Sequence, residues 1–242
     1  NYKYADKDQL LKDITAGSQK WEIVGQELDE TCPTTWERYD WEYRGFISLI
    51  ESRIYEYALM DKVVIIGRGS NFLLQGIPQV LKVRFIAPRE KRIEHTMSKD
   101  QLDRKTAELV VEKTDHARAC YAHTNYGREW EKTEYYDMVF NTEEQSHEQI
   151  VKILIETLAE KDQQATAVGR QELANRALAA KVKAKIVTNP KFLVPTLEVS
   201  HEGETIILRG VVHNPKEYHL IEAIAQEIAA PHAVRNELHY RK

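Results

Sequence analysis

The sequence predicts an α/β unit over residues 1–160 and a smaller α+β unit over residues 168–242. Three observations lead there. Two continuous apolar runs, Val63 to Ile66 and residues 80–88, read as interior parallel strands covered on both faces. Strand, crossover, strand and helix then follow in the order that builds a doubly wound sheet. Finally, residues 161–168 (KDQQATAV) change composition, and the chain beyond them has a complete helix–strand–strand–helix–strand pattern of its own.

Residues 8–17 place Leu10, Leu11 and Ile14 on one helical face, with Gly17 as the stop. Residues 18–35 end in the loop TCPTT. From Trp36 to Met60 the chain is rich in aromatics, and Phe46, Ile50, Ile54 and Tyr57 keep helical spacing. Such rings stabilise whatever they are buried against, and they can also stack on a base. Gly67-Arg68-Gly69 closes the first apolar run, and Gly76-Ile77-Pro78 forms a turn before the second. REKRIEHTM continues as a helix, and residues 101–120 form a long charged one. Residues 137–142 (DMVFNT) read as a third strand. The helix after it is capped by Ser146, with a carboxylate at Glu148.

In the smaller unit a helix spans about 170–187, with Leu173, Ala177, Val182 and Ile186 inward. Two strands joined by His201-Glu202-Gly203-Glu204 suit a hairpin. Pro215 opens a second amphipathic helix, and residues 233–240 close the unit as a strand. A unit of about seventy residues folds alone with modest stability.

Composition bounds the function. Apolar residues are 42% of the 242, enough for a sizeable core. The net charge of −4 counts against general nucleic-acid binding. Cys32 and Cys120 lie far apart, in no disulfide-framework or zinc spacing, and read as two free thiols in a reducing compartment. No apolar run reaches the roughly 18 residues of a membrane span, and no signal peptide is expected. The expected location is therefore cytoplasmic. The histidines show no ligand spacing, so no metal site is expected from protein side chains alone.

Gly67-Arg68-Gly69 stands at the carboxyl end of a predicted buried strand, where open α/β sheets bind ligands. Glycines let the backbone approach closely, and arginine grips a phosphate with two donors. The other reading is that Arg68 only begins a surface loop. Arg84, Arg89, Lys91 and Arg92 surround the second strand, and Arg104, Lys113, Arg118 and Arg128 follow. Such side chains can neutralise a polyphosphate, or they can simply be solvated. Asp115 sits three residues before Arg118 and can orient it or touch substrate. GxxxxGK followed by Ser or Thr, the loop that cradles a triphosphate, occurs nowhere in the chain.

Several stretches together resemble the cytidylate-kinase-like family of P-loop proteins over residues 7–158. They are DKDQLLKDI, VVIIGRGSNFLLQGIPQVLKVRFIAPREKRIE, EKTDHARACYAHTNYG and YYDMVFNT. The resemblance implies a P-loop kinase-like parallel sheet whose first strand is missing here. It also implies transfer of the ATP γ-phosphoryl, with Mg2+, to a nucleoside monophosphate such as cytidylate. By position, Gly67, Arg68 and Gly69 would hold the acceptor, Arg89 and Arg92 would precede the mobile lid, and Asp115 and Arg118 would act as catalytic lid residues. Two features depart from the family. Gly69 stands where an aspartate is usual, and Lys113 stands where a lid arginine is often found; lysine lacks the bidentate fork. The absent phosphate loop implies either truncation ahead of Asn1 or a degenerate kinase, so ATP and Mg2+ are expected only where that loop is supplied.

Residues 168–241 resemble a BON domain, through ALAAKVKAKIVTNPKF, IILRGVV and EYHLIEAIAQEIAAPHAVRNEL. By that resemblance Gly210 marks a turn between strand and helix, and the unit binds a lipid or small molecule. Two functions thus compete. One is a nucleoside monophosphate kinase, inactive in this chain without its phosphate loop. The other is a non-catalytic ligand-binding or scaffold protein acting through the BON unit. No nucleic-acid partner is expected.

Overall fold

The computed structural model describes residues 2–16, 32–33 and 40–240. The expected stop at Gly17, the loop through residue 35 apart from Cys32 and Pro33, and the first residues of the aromatic segment lie outside the described residues. In chain order the elements are β1 (Lys3–Ala5), α1 (Lys7–Thr15), α2 (Trp41–Leu59), β2 (Val63–Ile65), α3 (Ser70–Leu73), β3 (Val83–Ile86), α4 (Arg89–Asp100) and α5 (Arg104–Tyr126). There follow β4 (Met138–Asn141), α6 (His147–Gln163), α7 (Ala167–Val187), β5 (Glu198–Glu202), β6 (Thr205–Val212), α8 (Pro215–Ala229) and β7 (Val234–Tyr240). No helix among the described residues is long and apolar enough to cross a membrane.

By contacts the chain divides into two compact units. The first takes Asn1–Asp29, Pro33–Leu73 and Ala167–Lys242; the second takes Glu30–Cys32 and Leu74–Thr166. The parallel strands pair as two separate two-stranded sheets, β1 with β2 and β3 with β4, where the sequence predicted one doubly wound sheet. The first strand, expected to be missing, is present. Lys3, Tyr4 and Ala5 pair in parallel with Val63, Val64 and Ile65. A three-residue strand carries no period of its own, which is why sequence reading passed over it.

In the first unit α2 is buried on several sides at once. Tyr43, Phe46, Ile47, Ile50, Ile54, Tyr55 and Tyr57 are all buried, and its serines 48 and 52 are buried with them. Helix α7 meets it with small residues: Ala177, Ala180 and Ala184 recur at helical spacing and are buried. The early part of the segment resembling a kinase, through Leu73, therefore shares one unit with the segment resembling a BON domain, while its part from Leu74 onward belongs to the second unit. On the far side of α7, Val182 and Ile186 join Ile206, Leu208, Val212, Ile221, Ala225 and Leu238 in one core. Each fully buried aliphatic there contributes roughly 1.5–3 kcal/mol over its exposed state.

That core lies under a three-stranded sheet ordered β5-β6-β7. β5 and β6 form the expected antiparallel hairpin, closed at Glu202 and Thr205. β6 and β7 run parallel, with α8 as the crossover between them. Asn214 caps α8 through the Lys216 N–H, and Pro215 occupies its first turn. Gly210 is not at a turn. It lies inside β6 with φ +145°, where a Cβ would stand 2.9 Å from the carbonyl oxygen of Thr196. Close backbone approach explains this glycine, not a change of direction.

In the second unit β3 and β4 pair in parallel from Val83–Met138 to Ile86–Asn141. Helices α4 and α5 turn back on each other through Gln101 in the left-handed conformation and Asp103 as N-cap. Ile93, Ala107 and Val111 form their core, with Met97 and Leu102 against it. Ser146 caps α6 as expected. Its reciprocal partner is Gln149 rather than Glu148, because only the third helical residue reaches back to the cap N–H. Cys32 and Cys120 are joined in a disulfide, against the expectation of free thiols. Their Cα atoms are 5.5 Å apart although 88 positions separate them in sequence, a proximity that no local spacing rule detects.

Candidate functional site

Strand β2 leads directly into the glycine loop. The Ile66 N–H donates to the Ala5 carbonyl at 3.0 Å, which extends the pairing with β1 by one step. Gly67, Arg68 and Gly69 then adopt φ of +77°, +54° and +73°. For the glycines this is free of steric cost; for Arg68 the left-handed conformation costs about 1–2 kcal/mol. The N–H groups of Ser70, Phe72 and Leu73 close the turn onto the Gly67 and Gly69 carbonyls. Open space surrounds the Cα of Gly67, so φ alone demands glycine there. The loop stands at the carboxyl end of a parallel strand, where ligand phosphates meet backbone amides.

At the neighbouring strand end, β1 passes into α1 through one residue. Asp6 is that residue, and its carboxylate accepts the Gln9 N–H at 2.9 Å. A phosphate loop places an anion at the helix N-terminus. Here the chain's own carboxylate fills that position, and a single residue cannot wrap a triphosphate. The residues present at this strand–helix junction therefore do not fit ATP. Among the described residues no group of three or more His, Cys, Asp and Glu is placed to hold a metal ion.

The second unit gathers another set. Arg92 and Asp115 stand on facing turns of α4 and α5, because each neighbours the Ile93–Val111 core in sequence. Arg92 Nη1 donates to both Asp115 oxygens, at 2.7 and 2.6 Å. Arg118 Nη1 lies 3.7 Å from the same carboxylate, and its side chain is 57% exposed. Asp115 is thus an orienting group shared by two arginines, and Arg118 is the one that reaches solvent. Arg89, one turn earlier on α4, is exposed and joins no ion pair among the described residues.

Sequence reading missed the aromatic part of this set. Trp130 carries the Arg84 guanidinium at 4.5 Å from its ring centre and that of Arg118 at 5.8 Å. Arg84 also lies over Tyr136 and donates through Nη1 to the backbone carbonyls of Trp130 and Glu131. Its Nε is buried with no partner. Burial pushes the Tyr136 hydroxyl pKa up, with Arg84 opposing. Arg84 is therefore engaged with the protein, while Arg118 is the more solvent-exposed of the two. The only sequence signal for this was the aromatic pair Trp130 and Tyr136 following the long helix.

On the three-stranded sheet, Pro195, Thr196, Val211, His213 and Tyr240 line an open concavity of about 520 Å³. Thr196 Oγ1 accepts the Val211 N–H at 2.8 Å, which fixes one wall. Tyr240 packs on Tyr218, ring centres 5.5 Å apart. The outer face of the same sheet carries Arg209, Arg235, Glu202 and Glu237 in a closed ring of ion pairs between 2.6 and 3.6 Å. Its charges cancel within the ring.

Comparison with known proteins follows this division of the sequence. The model of a cytidylate kinase-like family matches residues 1–144, and that of the BON domain matches residues 174–242. Among curated proteins, a uronate isomerase of Corynebacterium glutamicum is 36% identical over 104 residues, 43% of this chain and 20% of that protein. The chain thus spans about a fifth of the length of that relative. Among solved structures, an uncharacterized protein from Eubacterium ventriosum aligns with 66% of this chain and 85% of its own. Its identity is 16% and its TM-score 0.47.

Proposed function

The chain belongs to the cytidylate kinase-like family, and on that premise we propose that it binds a nucleoside monophosphate of the cytidylate class through the loop Gly67–Arg68–Gly69. The observation that carries the reading is the loop's backbone, three successive left-handed residues at the end of a parallel strand. Glycines on either side bring backbone amides close to a ligand, and Arg68 supplies a bidentate fork for its phosphate. Accepting strain at Arg68 is expected of a residue held for binding. The Arg92–Asp115–Arg118 set is assigned a second phosphate-facing role on its own unit, with Arg118 as the contacting group and Asp115 as its orienter.

Asp6 occupies the helix N-terminus that a triphosphate would need. The test is calorimetric titration of the full chain with CMP, UMP and AMP, beside Arg68→Ala. Binding of a pyrimidine monophosphate that weakens at least tenfold in the variant supports the reading. Equal binding by the variant refutes the assignment of Arg68.

A second reading is that the chain works as a non-catalytic binding protein through the concavity at Thr196, His213 and Tyr240. Its lining is largely apolar with a few polar atoms, which suits a small molecule or an acyl chain. Titration with a short-chain phospholipid, read at the Tyr240 ring, distinguishes this from the nucleotide reading.

A further inference from the structure

We propose that Arg176, a residue of the BON portion, is a positioning residue for the loop Gly67–Arg68–Gly69; its consequence for nucleotide affinity rests on the monophosphate reading above. The connection is a set of hydrogen bonds that all lie within the first unit. Leu73 ends α3, and its carbonyl accepts two side-chain donors, Tyr55 Oη from α2 at 3.0 Å and Arg176 Nη1 from α7 at 3.4 Å. The Leu73 N–H donates back to the Gly69 carbonyl at 3.1 Å, as does that of Phe72 at 2.9 Å. The Ser70 N–H donates to the Gly67 carbonyl at 3.2 Å. One turn of helix thus separates the clamped carbonyl from the loop.

Helix α3 is four residues long and cannot hold itself by helical cooperativity. Its geometry depends on what grips its ends. Arg176 is itself fixed. Its Nε donates to Glu172 Oε1 at 2.7 Å, and Glu172 faces His201 Nε2 at 3.5 Å. One residue before Arg176, buried Asn175 donates to the Gly203 carbonyl at 2.8 Å. The guanidinium is therefore held by α7 and by the β5–β6 hairpin before it reaches Leu73. Tyr55, buried beside it, has its hydroxyl pushed up to about 12, mainly by burial, and stays a neutral donor. Removing Arg176 takes away one of the two donors and the one that belongs to the BON portion.

Amide hydrogen exchange on the full chain tests this with Arg176→Met, which keeps most of the stem and loses every donor. We expect exchange at Ser70, Phe72 and Leu73 to accelerate at least tenfold, with β6 and α8 unchanged, and CMP affinity to fall several-fold. Should Arg176→Met fail to fold, Glu172→Gln loosens the guanidinium without removing it, and at least threefold faster exchange at the same amides is expected. Exchange within twofold of the wild type in a folded variant overturns the proposal. Faster exchange without CMP binding in the wild type upholds the clamp and refutes the nucleotide reading. CMP binding with unchanged exchange refutes the clamp alone.

Discussion

Reduction of the Cys32–Cys120 disulfide is expected to destabilise the chain by several kcal/mol. The bond closes a loop of 88 residues. In the chain-entropy description that restriction of the unfolded state corresponds to about 4.6 kcal/mol at 25 °C. For a chain of 242 residues a loss of this size lowers the melting temperature by on the order of 10 °C. The assay is differential scanning calorimetry of the full chain with and without a phosphine reductant, with Cys120→Ser as the chemical equivalent. The first unit contains neither cysteine, but its residues 33–73 lie inside the closed loop, so the full loop entropy applies to unfolding of the whole chain. A shift under 2 °C would refute the argument, as would titration of two free thiols in the unreduced native protein. A stable bond would also place the protein in an oxidising setting, contrary to the reducing compartment the cysteine spacing suggested.

Other outcomes are equally specific. Gly210→Ala places a Cβ against the Thr196 carbonyl at an unfavourable φ, so a loss of roughly 1–3 kcal/mol in denaturant unfolding is expected. Ile54→Ala empties a fully buried position on α2 and should cost about 2–5 kcal/mol in the same assay. The Glu237 carboxyl is held below its ordinary pKa, first by Arg209 and also by Arg235. A depressed folded-state pKa means that its contribution is present above the unfolded value and lost as pH falls through the folded one. Glu237→Gln should therefore lower stability at neutral pH, converge with the wild type in acid and so flatten the acid limb of the stability curve. Tyr55 works in the opposite direction. Its raised value makes stability fall as pH climbs from about 10 to about 12, and Tyr55→Phe should reduce that slope in alkaline unfolding.

Local signals in the sequence located the helices well. Ser146, Pro215 and the spacing of Leu173, Ala177, Val182 and Ile186 each lie where the structure uses them. Pairing between distant segments was not legible. The partner of Val63–Ile65 is a three-residue strand at the start of the chain, too short to show a period. The Cys32–Cys120 bond and the Leu73 clamp depend likewise on contacts far apart in sequence. At the candidate sites the sequence supplied the residues but not their company. Asp115 was read beside Arg118 from its i,i+3 spacing, whereas its shorter bonds go to Arg92 on another helix. Trp130 went unnoticed because a single tryptophan in a loop gives no pattern. Gly210 was mistaken for a turn glycine because a crowded backbone and a tight turn demand the same residue.

The most direct test of nucleotide binding at the glycine loop is a 15N-resolved NMR titration of the full chain with CMP. The amides of Gly67, Gly69 and Ser70 should shift first and saturably, and Arg68→Ala should abolish those shifts. Shifts confined to Val211 and His213, or none at millimolar CMP, would contradict the account.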